Sequence, residues 1–196
     1  MTRLRTFLAG LAAVLMLAAT GAAAAADDPQ EINPRYLLTD GKGRMVSNED
    51  FPGRYQLISF GYTFCPDVCP TTLAAMAQIM RQLGDRAARL QPIFVSVDPE
   101  RDTPQVLARY TAYFDPRILG LSGKPEFVRA AADHYKVVYR KYLAPGAPPD
   151  QYSIDHSAGM YLLGPDGGFV ARFAHGDSPV ETASRIAAIM DAAGAK

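Results

Sequence analysis

The sequence predicts an α/β protein with a central mixed sheet. Apolar runs with the composition of strands alternate, from residue 55 to residue 135, with segments whose apolar residues recur at helical spacing. A Pro-Asp-Gly-Gly turn then joins two further strands, and a last helix follows. The chain has 196 residues and no internal repeat, so it is long enough for one domain with a substantial core.

In the first half, "YLLTDGKGRMV" (36–46) predicts two short strands around a turn, and "YQLISFGYT" (55–63) predicts a buried strand. A helix is predicted from Thr71, because apolar residues follow at helical spacing at Leu73, Met76, Ala77, Met80 and Leu83. "LQPIFVSVD" (90–98) predicts a second strand. Another helix begins after Thr103 and runs to Phe114, since proline at residue 104 suits the first helical position.

In the second half, a short strand (118–121) precedes a helix from Pro125 to Tyr135, and the alternation in "KVVYRKY" is compatible with a strand. After a proline-rich surface loop, "HSAGMYLLGPDGGFVARF" predicts a hairpin whose first strand begins at His156. The last helix begins at a Ser178–Glu181 capping box and buries a face made of Val180, Ala183, Ile186 and Met190. This order of elements fits a thioredoxin-like core over residues 36–196, with an N-terminal strand extension and a central insertion before the terminal hairpin and helix.

The first 26 residues have the layout of a secretory signal peptide: two arginines, an apolar run and an alanine tract. The alternative is an uncleaved anchor, because residues 7–26 are just long enough to span a bilayer. Both interpretations place the rest of the chain outside the cytoplasm, where disulfides form. We therefore expect a periplasmic protein with a linker at 27–35, held at the inner membrane only if the segment is retained.

The overall charge excludes one class of partner. Twenty basic residues balance twenty acidic ones, so no basic excess indicates a nucleic acid. No pattern indicates an obligate oligomer, and a monomer is expected.

Cys65 and Cys69, the only cysteines, lie between a strand and a helix. We expect Cys69 just before the helix, whose N-terminus lowers thiol pKa values and supports thiolates for disulfide exchange or for soft metals. A structural disulfide across so small a loop would stabilise the fold by only about 2 kcal/mol, and thioredoxin-type redox pairs are separated by two residues rather than three. Asp67 between the cysteines would help to hold a cation, or would bond to free amides at the start of the helix.

A metal needs at least a third ligand, and the chain has three histidines. His134 is predicted in the middle of a helix at the surface, and His175 in the turn before the last helix. His156 stands where thioredoxin-like redox enzymes usually have a cis-proline, which favours a metal site. Asp155 or a backbone carbonyl would fix its ring in one tautomer. Three methionines are interpreted as core packing rather than as ligands: Met76, Met80 and Met160.

The expected donor set favours copper over zinc. Cu(I) accepts few soft ligands and Cu(II) can take a weak additional one, whereas a structural zinc site requires a fourth ligand.

Three segments resemble the Sco/SenC family, exported copper proteins for the assembly of cytochrome c oxidase: "FGYTFCPDVCPTTL" (60–73), "VSVDPERDTP" (95–104) and "YSIDHSAGMYLLGPDGGFVARF" (152–173). The resemblance implies a thioredoxin-like fold in which Cys65, Cys69 and His156 bind one copper, as Cu(I) or Cu(II), supported by Asp67 and Asp155. It implies delivery to the binuclear CuA centre of oxidase subunit II and reduction of the cysteines of that centre. A protein released from the membrane could also reach another periplasmic copper acceptor, and other copper chaperones are expected partners.

Two other functions use the same residues and stay open at this point. In the first, the chain is a thiol-disulfide reductase that uses Cys65 and Cys69 as a redox-active pair and keeps the CuA-site cysteines reduced. Whether the protein is an enzyme is therefore also open. A sensor of copper or redox state is the third possibility.

The charged residues of "DPERDTP" form either a partner surface or, as we favour, helix caps and loop salt bridges: Asp98, Arg101 and Asp102.

Overall fold

The structure is a computed structural model that describes residues 32–194. The predicted signal peptide at 1–26 and most of the predicted linker at 27–35 lie outside the described residues. The described part contains nine strands and four α-helices: β1 (Leu37–Thr39), β2 (Met45–Ser47), β3 (Tyr55–Gly61), α1 (Val68–Gln82), β4 (Leu90–Ser96), α2 (Pro104–Phe114), β5 (Leu119–Leu121), α3 (Pro125–His134), β6 (Tyr139–Leu143), β7 (Tyr152–His156), β8 (Met160–Leu163), β9 (Phe169–Phe173) and α4 (Pro179–Gly194). None of the described helices combines the length and apolar character needed to cross a membrane.

Five strands form a central mixed sheet in the order β5-β4-β3-β8-β9. The first three are parallel to one another, whereas β8 is antiparallel to β3 and β9 is antiparallel to β8. Every residue of β3 is buried, as expected for a central strand covered on both faces. The predicted mixed α/β sheet is therefore confirmed, and the segment that follows the carboxyl end of β3 lies at the middle of one edge of the sheet.

The predicted extension and insertion are two separate antiparallel ribbons. β1 pairs with β2, and Thr39 joins this ribbon to Ser122 through hydrogen bonds of 2.7 and 3.1 Å. β6 pairs with β7 so that Tyr139 lies opposite His156. The insertion therefore brings its last residue, a histidine, back to the sheet.

Several predicted positions within the elements are wrong. α1 begins at Val68 rather than Thr71, because a proline at residue 70 is tolerated in the first helical turn, where amides have no intrahelical acceptor. His134 ends α3 instead of lying in its middle, and His156 ends β7 instead of beginning the β8–β9 hairpin. Val180 is 47% exposed and so lies off the buried face of α4.

Asp115, at the end of α2, should make stability depend on pH. The Arg117 side chain donates two hydrogen bonds, of 2.9 and 2.6 Å, to this buried carboxylate and holds its pKa below the ordinary value. A lowered folded-state pKa gives stabilisation that is present above about pH 4 and is lost as the pH falls further. We expect Asp115→Asn to lower the free energy of unfolding at pH 7 by about 2 kcal/mol, and to flatten its decline below pH 4, measured by urea titration. If the free energy of unfolding of Asp115→Asn declines below pH 4 as steeply as that of the wild type, the prediction is contradicted.

Candidate metal centre

The segment between β3 and α1 carries Cys65 and is held in place by hydrogen bonds to the buried carboxylate of Asp102. Asp102 accepts hydrogen bonds from the Thr63 amide (3.0 Å), the Thr63 hydroxyl (2.5 Å) and the Ser96 hydroxyl (2.7 Å). The Cys65 amide also bonds to the Tyr62 carbonyl at 3.4 Å. The backbone around Cys65 is therefore anchored to the end of β4.

Cys69 lies in the first turn of α1 and is 1% exposed. Its sulfur packs directly over Gly61, where a Cβ atom would come within 2.7 Å of Cys69 Sγ and 2.6 Å of Phe94 Cζ. Glycine at the end of β3 thus makes room for the thiol. A glycine inside a buried strand is a sequence signal for such a close approach, but Gly61 was not among the predicted site residues.

The strand that carries His156 is tied to both neighbouring loops. Arg101 forms a 2.5 Å salt bridge with the buried Asp98 and donates a 2.9 Å hydrogen bond to the Tyr152 carbonyl. The Tyr152 hydroxyl in turn donates to Asp98 at 2.7 Å, and the Ile154 amide donates to the Tyr62 hydroxyl at 3.2 Å. The interpretation of the 98–102 segment is confirmed for the Asp98–Arg101 salt bridge but is wrong for helix capping, because Thr103 caps α2 and Asp102 accepts hydrogen bonds from Thr63 and Ser96 instead. Asp98 and Asp102 are fully buried rather than at a partner surface.

These three supports bring Cys65, Cys69 and His156 together. Cys69 Sγ lies 3.5 Å from His156 Nε2, and the Cys69 amide donates to Cys65 Sγ at 3.4 Å. The three ligand atoms lie within 4.8 Å of one another, and both cysteines are free thiols. Among the described residues, this is the one group of three or more His, Cys, Asp or Glu side chains that is close enough to hold a metal ion.

His156 has the protonation state that metal binding needs. Burial lowers its pKa, which favours the neutral imidazole at neutral pH. Its Nδ1 lies 3.0 Å from the Ser157 carbonyl oxygen, so the ring proton is assigned to Nδ1 and the lone pair to Nε2, which faces Cys69. The tautomer is therefore fixed by a backbone carbonyl, and Asp155, whose side chain is exposed, forms no hydrogen bond to the ring.

Cys69 contradicts the expectation that the helix N-terminus lowers its pKa. Burial raises the pKa of the Cys69 thiol, and the neighbouring Cys65 raises it further. The thiol is therefore protonated in the metal-free protein, and a bound metal must displace that proton.

The other predicted site residues are two aspartates beside the group and three methionines in the core. Asp67 is exposed at the N-cap of α1 and forms no side-chain cap bond, so its predicted bonding to free amides is wrong. Asp67 and Asp155 nevertheless line the open depression of about 370 Å³ that leads to Cys65 and His156. The three methionines interpreted as packing are buried in the core: Met76, Met80 and Met160.

The remaining histidines are not part of the group, although His175 is near enough for its charge to help lower the pKa of His156. His134 Nδ1 is 3.0 Å from the Arg35 carbonyl oxygen, and His175 is exposed in the turn before α4. Tyr62, whose ring meets that of His156 edge to face at 6.1 Å, is a contact that the sequence pattern did not single out.

Comparison with known proteins gives a family-level match. The family model described as SCO1/SenC matches residues 24–191. The mitochondrial protein SCO2 homolog of Bos taurus is 42% identical over 136 residues, which cover 68% of this chain and 50% of that protein. The chain thus spans about half the length of this curated relative.

Solved structures share the fold. The copper-bound ScoI of Bradyrhizobium japonicum matches with a TM-score of 0.71 and 40% identity, over 79% of this chain and 96% of that one. BsSco, described as a member of the Sco family of cytochrome c oxidase assembly proteins with a disulfide switch, matches with a TM-score of 0.62 and 26% identity, over 81% and 94%. These are thioredoxin-like proteins, so the predicted thioredoxin-like fold is confirmed.

Proposed function

Because the chain belongs to the SCO1/SenC family, we propose that it binds one copper ion through Cys65, Cys69 and His156 and delivers it to the CuA centre of cytochrome c oxidase subunit II. The observation that carries the proposal is the convergence of these three side chains. Cys69 and His156 are 87 residues apart in sequence, yet their ligand atoms are 3.5 Å apart. The segments that carry the three side chains are each held by contacts described above: the hydrogen bonds to Asp102, the packing of Cys69 over Gly61, and the contacts of β7 with Arg101 and Tyr62. This is the arrangement expected of a binding site.

The donor set fits copper better than zinc. Two thiolates and a neutral imidazole satisfy Cu(I), and they leave room for a weak additional ligand to Cu(II). A closed zinc site would need a fourth ligand, and the group contains no further His, Cys, Asp or Glu among the described residues. The copper-bound state of ScoI, at 40% identity, supports the same choice.

The exposure of the ligands suits transfer. Cys69 is buried, whereas Cys65 and His156 are half-buried and border the depression. A thiolate of the acceptor can therefore approach from the depression and bind copper before one of the three ligands leaves. This order of events keeps the ion bound throughout and makes copper a cargo rather than a resident cofactor.

The sequence supports an exported location for this activity. We infer that residues 36–196 form the copper-binding domain and that residues 1–26 direct it to the periplasm, where the CuA centre of subunit II is the proposed acceptor. Cleavage would release a free monomer, and retention would hold it at the inner membrane. A free protein could also supply other copper acceptors and receive copper from other chaperones.

A second candidate is reduction of the acceptor's cysteines, favoured by the two free thiols and by the disulfide switch described for BsSco. In this reaction Cys65 and Cys69 would pass two electrons and two protons to a disulfide of the acceptor. The acceptor would gain two thiols, and a Cys65–Cys69 disulfide would form here.

The proposal is tested by mixing equal amounts of the Cu(I)-loaded and Cu(II)-loaded protein with the reduced, metal-free soluble domain of the cell's own subunit II, so that each binuclear centre can take one ion of each kind. We expect CuA absorption to appear and to saturate at about two copper-loaded chains per acceptor, because the centre is binuclear and each chain carries one copper. Copper that stays on the donor would overturn delivery. If a disulfide form of the same domain becomes reduced instead, the reductase function is supported.

A further inference from the structure

We propose that the ring of Phe64 and the carboxylates of Asp67 and Asp155 form a docking rim for the copper acceptor, which presents an apolar pocket flanked by basic side chains. The inference rests on the proposed function, because it specifies the surface that a copper-accepting protein must have. It adds a protein-recognition role to three residues that need not touch the metal.

Phe64 is an exposed aromatic ring held in a fixed place beside the site. It immediately precedes Cys65, and 62% of it is exposed, although its neighbour Tyr62 is buried. The preceding residue, Thr63, is anchored by two hydrogen bonds, and the Arg101 guanidinium lies 4.6 Å from the centre of the Phe64 ring. A ring that is already fixed loses little conformational entropy on binding, and aromatic side chains dominate the energetics of protein interfaces.

Two carboxylates without a hydrogen-bond or salt-bridge partner among the described residues flank the depression from different elements, close in sequence or space to Cys65, which Phe64 precedes. Asp67 comes from the N-cap of α1 and Asp155 from β7, and both line the depression with Cys65 and His156. Neither side chain forms a hydrogen bond or a salt bridge with a described residue, although Arg140 lies opposite Asp155 in the β6–β7 ladder. Such charges attract a basic partner and speed its approach.

The burial of the ligands identifies the occupant. Cys69 is 1% exposed, so an acceptor's donor atom has to enter through the depression that Cys65 and His156 border. The acceptor residues around that donor atom must then meet Asp67 and Asp155 at the opening. A small chelator can enter without touching this rim, so the two kinds of acceptor respond differently to changes in it.

The test compares binding and copper transfer to the soluble domain of the cell's own subunit II. We expect Phe64→Ala to weaken binding, and to slow transfer at low acceptor concentration, by about 10-fold. Copper release to a small-molecule Cu(I) chelator should be unchanged. Tyr113→Ala is the matched control, because Tyr113 is an 86% exposed aromatic residue on α2. The pair Asp67→Asn and Asp155→Asn should slow transfer chiefly at low ionic strength and reduce its salt dependence.

Each outcome separates docking from delivery. If Phe64→Ala binds and transfers as the wild type does, or if it slows release to the chelator as much as transfer to the protein, the docking inference is overturned. If the wild type binds the domain through Phe64 but no copper moves, docking is upheld and delivery fails. If the wild type neither binds nor transfers, both are overturned.

Discussion

Replacement of His156 by alanine should lower the affinity for Cu(I) by about 100-fold or more without unfolding the protein. The imidazole supplies one of only three ligand atoms, and its Nε2 already faces Cys69 at 3.5 Å. Its Nδ1 bonds to the adjacent Ser157 carbonyl, and its long-range hydrogen-bond contact is with the Cys69 thiol, so the loss of the ring breaks no hydrogen bond between strands of the fold. The measurement is a competition titration against a chelator of known affinity, with circular dichroism to verify folding.

The other two histidines provide the controls. His134→Ala and His175→Ala should keep the wild-type copper affinity, since the first bonds to the Arg35 carbonyl and the second is exposed in a turn. His156→Ala should also separate the two candidate functions: delivery to the CuA domain is lost, whereas reduction by Cys65 and Cys69 persists. Tight copper binding by His156→Ala would show that the imidazole is not a ligand.

The sequence was sufficient to predict the order of the elements, except for β7, and the residues of the group. Strand composition, helical spacing and the Pro-Asp-Gly-Gly turn are local signals, and the elements that they predict are present. The pairing of Cys65 and Cys69 with His156 depends on topology: β8 lies beside β3, so the segment before β8 must pass the segment after β3. That the three bind copper remains a prediction.

What the sequence did not predict depends on burial and on contacts between distant segments. The pKa of Cys69 is raised because the side chain is enclosed by the core, which outweighs the helix N-terminus that local sequence reveals. His156 was assigned to the wrong strand because β7 pairs with β6, a partner that no periodicity specifies. Asp102 reaches Thr63 across 39 residues, a contact visible only after folding.

Gly61→Ala should damage both the fold and the site. The new methyl group would lie 2.6 Å from Phe94 Cζ and 2.7 Å from Cys69 Sγ, between two buried groups that have no free space to move into. Overpacking of this kind costs about 3 kcal/mol of unfolding free energy. Because the thiol itself must shift, we also expect copper affinity to fall by about 10-fold or more, measured on protein shown by circular dichroism to be folded.

Gly123→Ala is the matched control for this change. Its added Cβ would meet Leu38 Cδ2 at 3.5 Å, an ordinary van der Waals contact, and neither glycine needs a positive φ. Gly123→Ala should therefore change stability by less than about 1 kcal/mol and leave copper affinity unaltered. If Gly61→Ala is as stable as Gly123→Ala and binds copper as tightly as the wild type, the close contact at the end of β3 does not position Cys69. If Gly61→Ala is destabilised but binds copper with normal affinity, Gly61 serves core packing alone. If it loses both stability and copper affinity, the core of the sheet positions the Cys69 thiol.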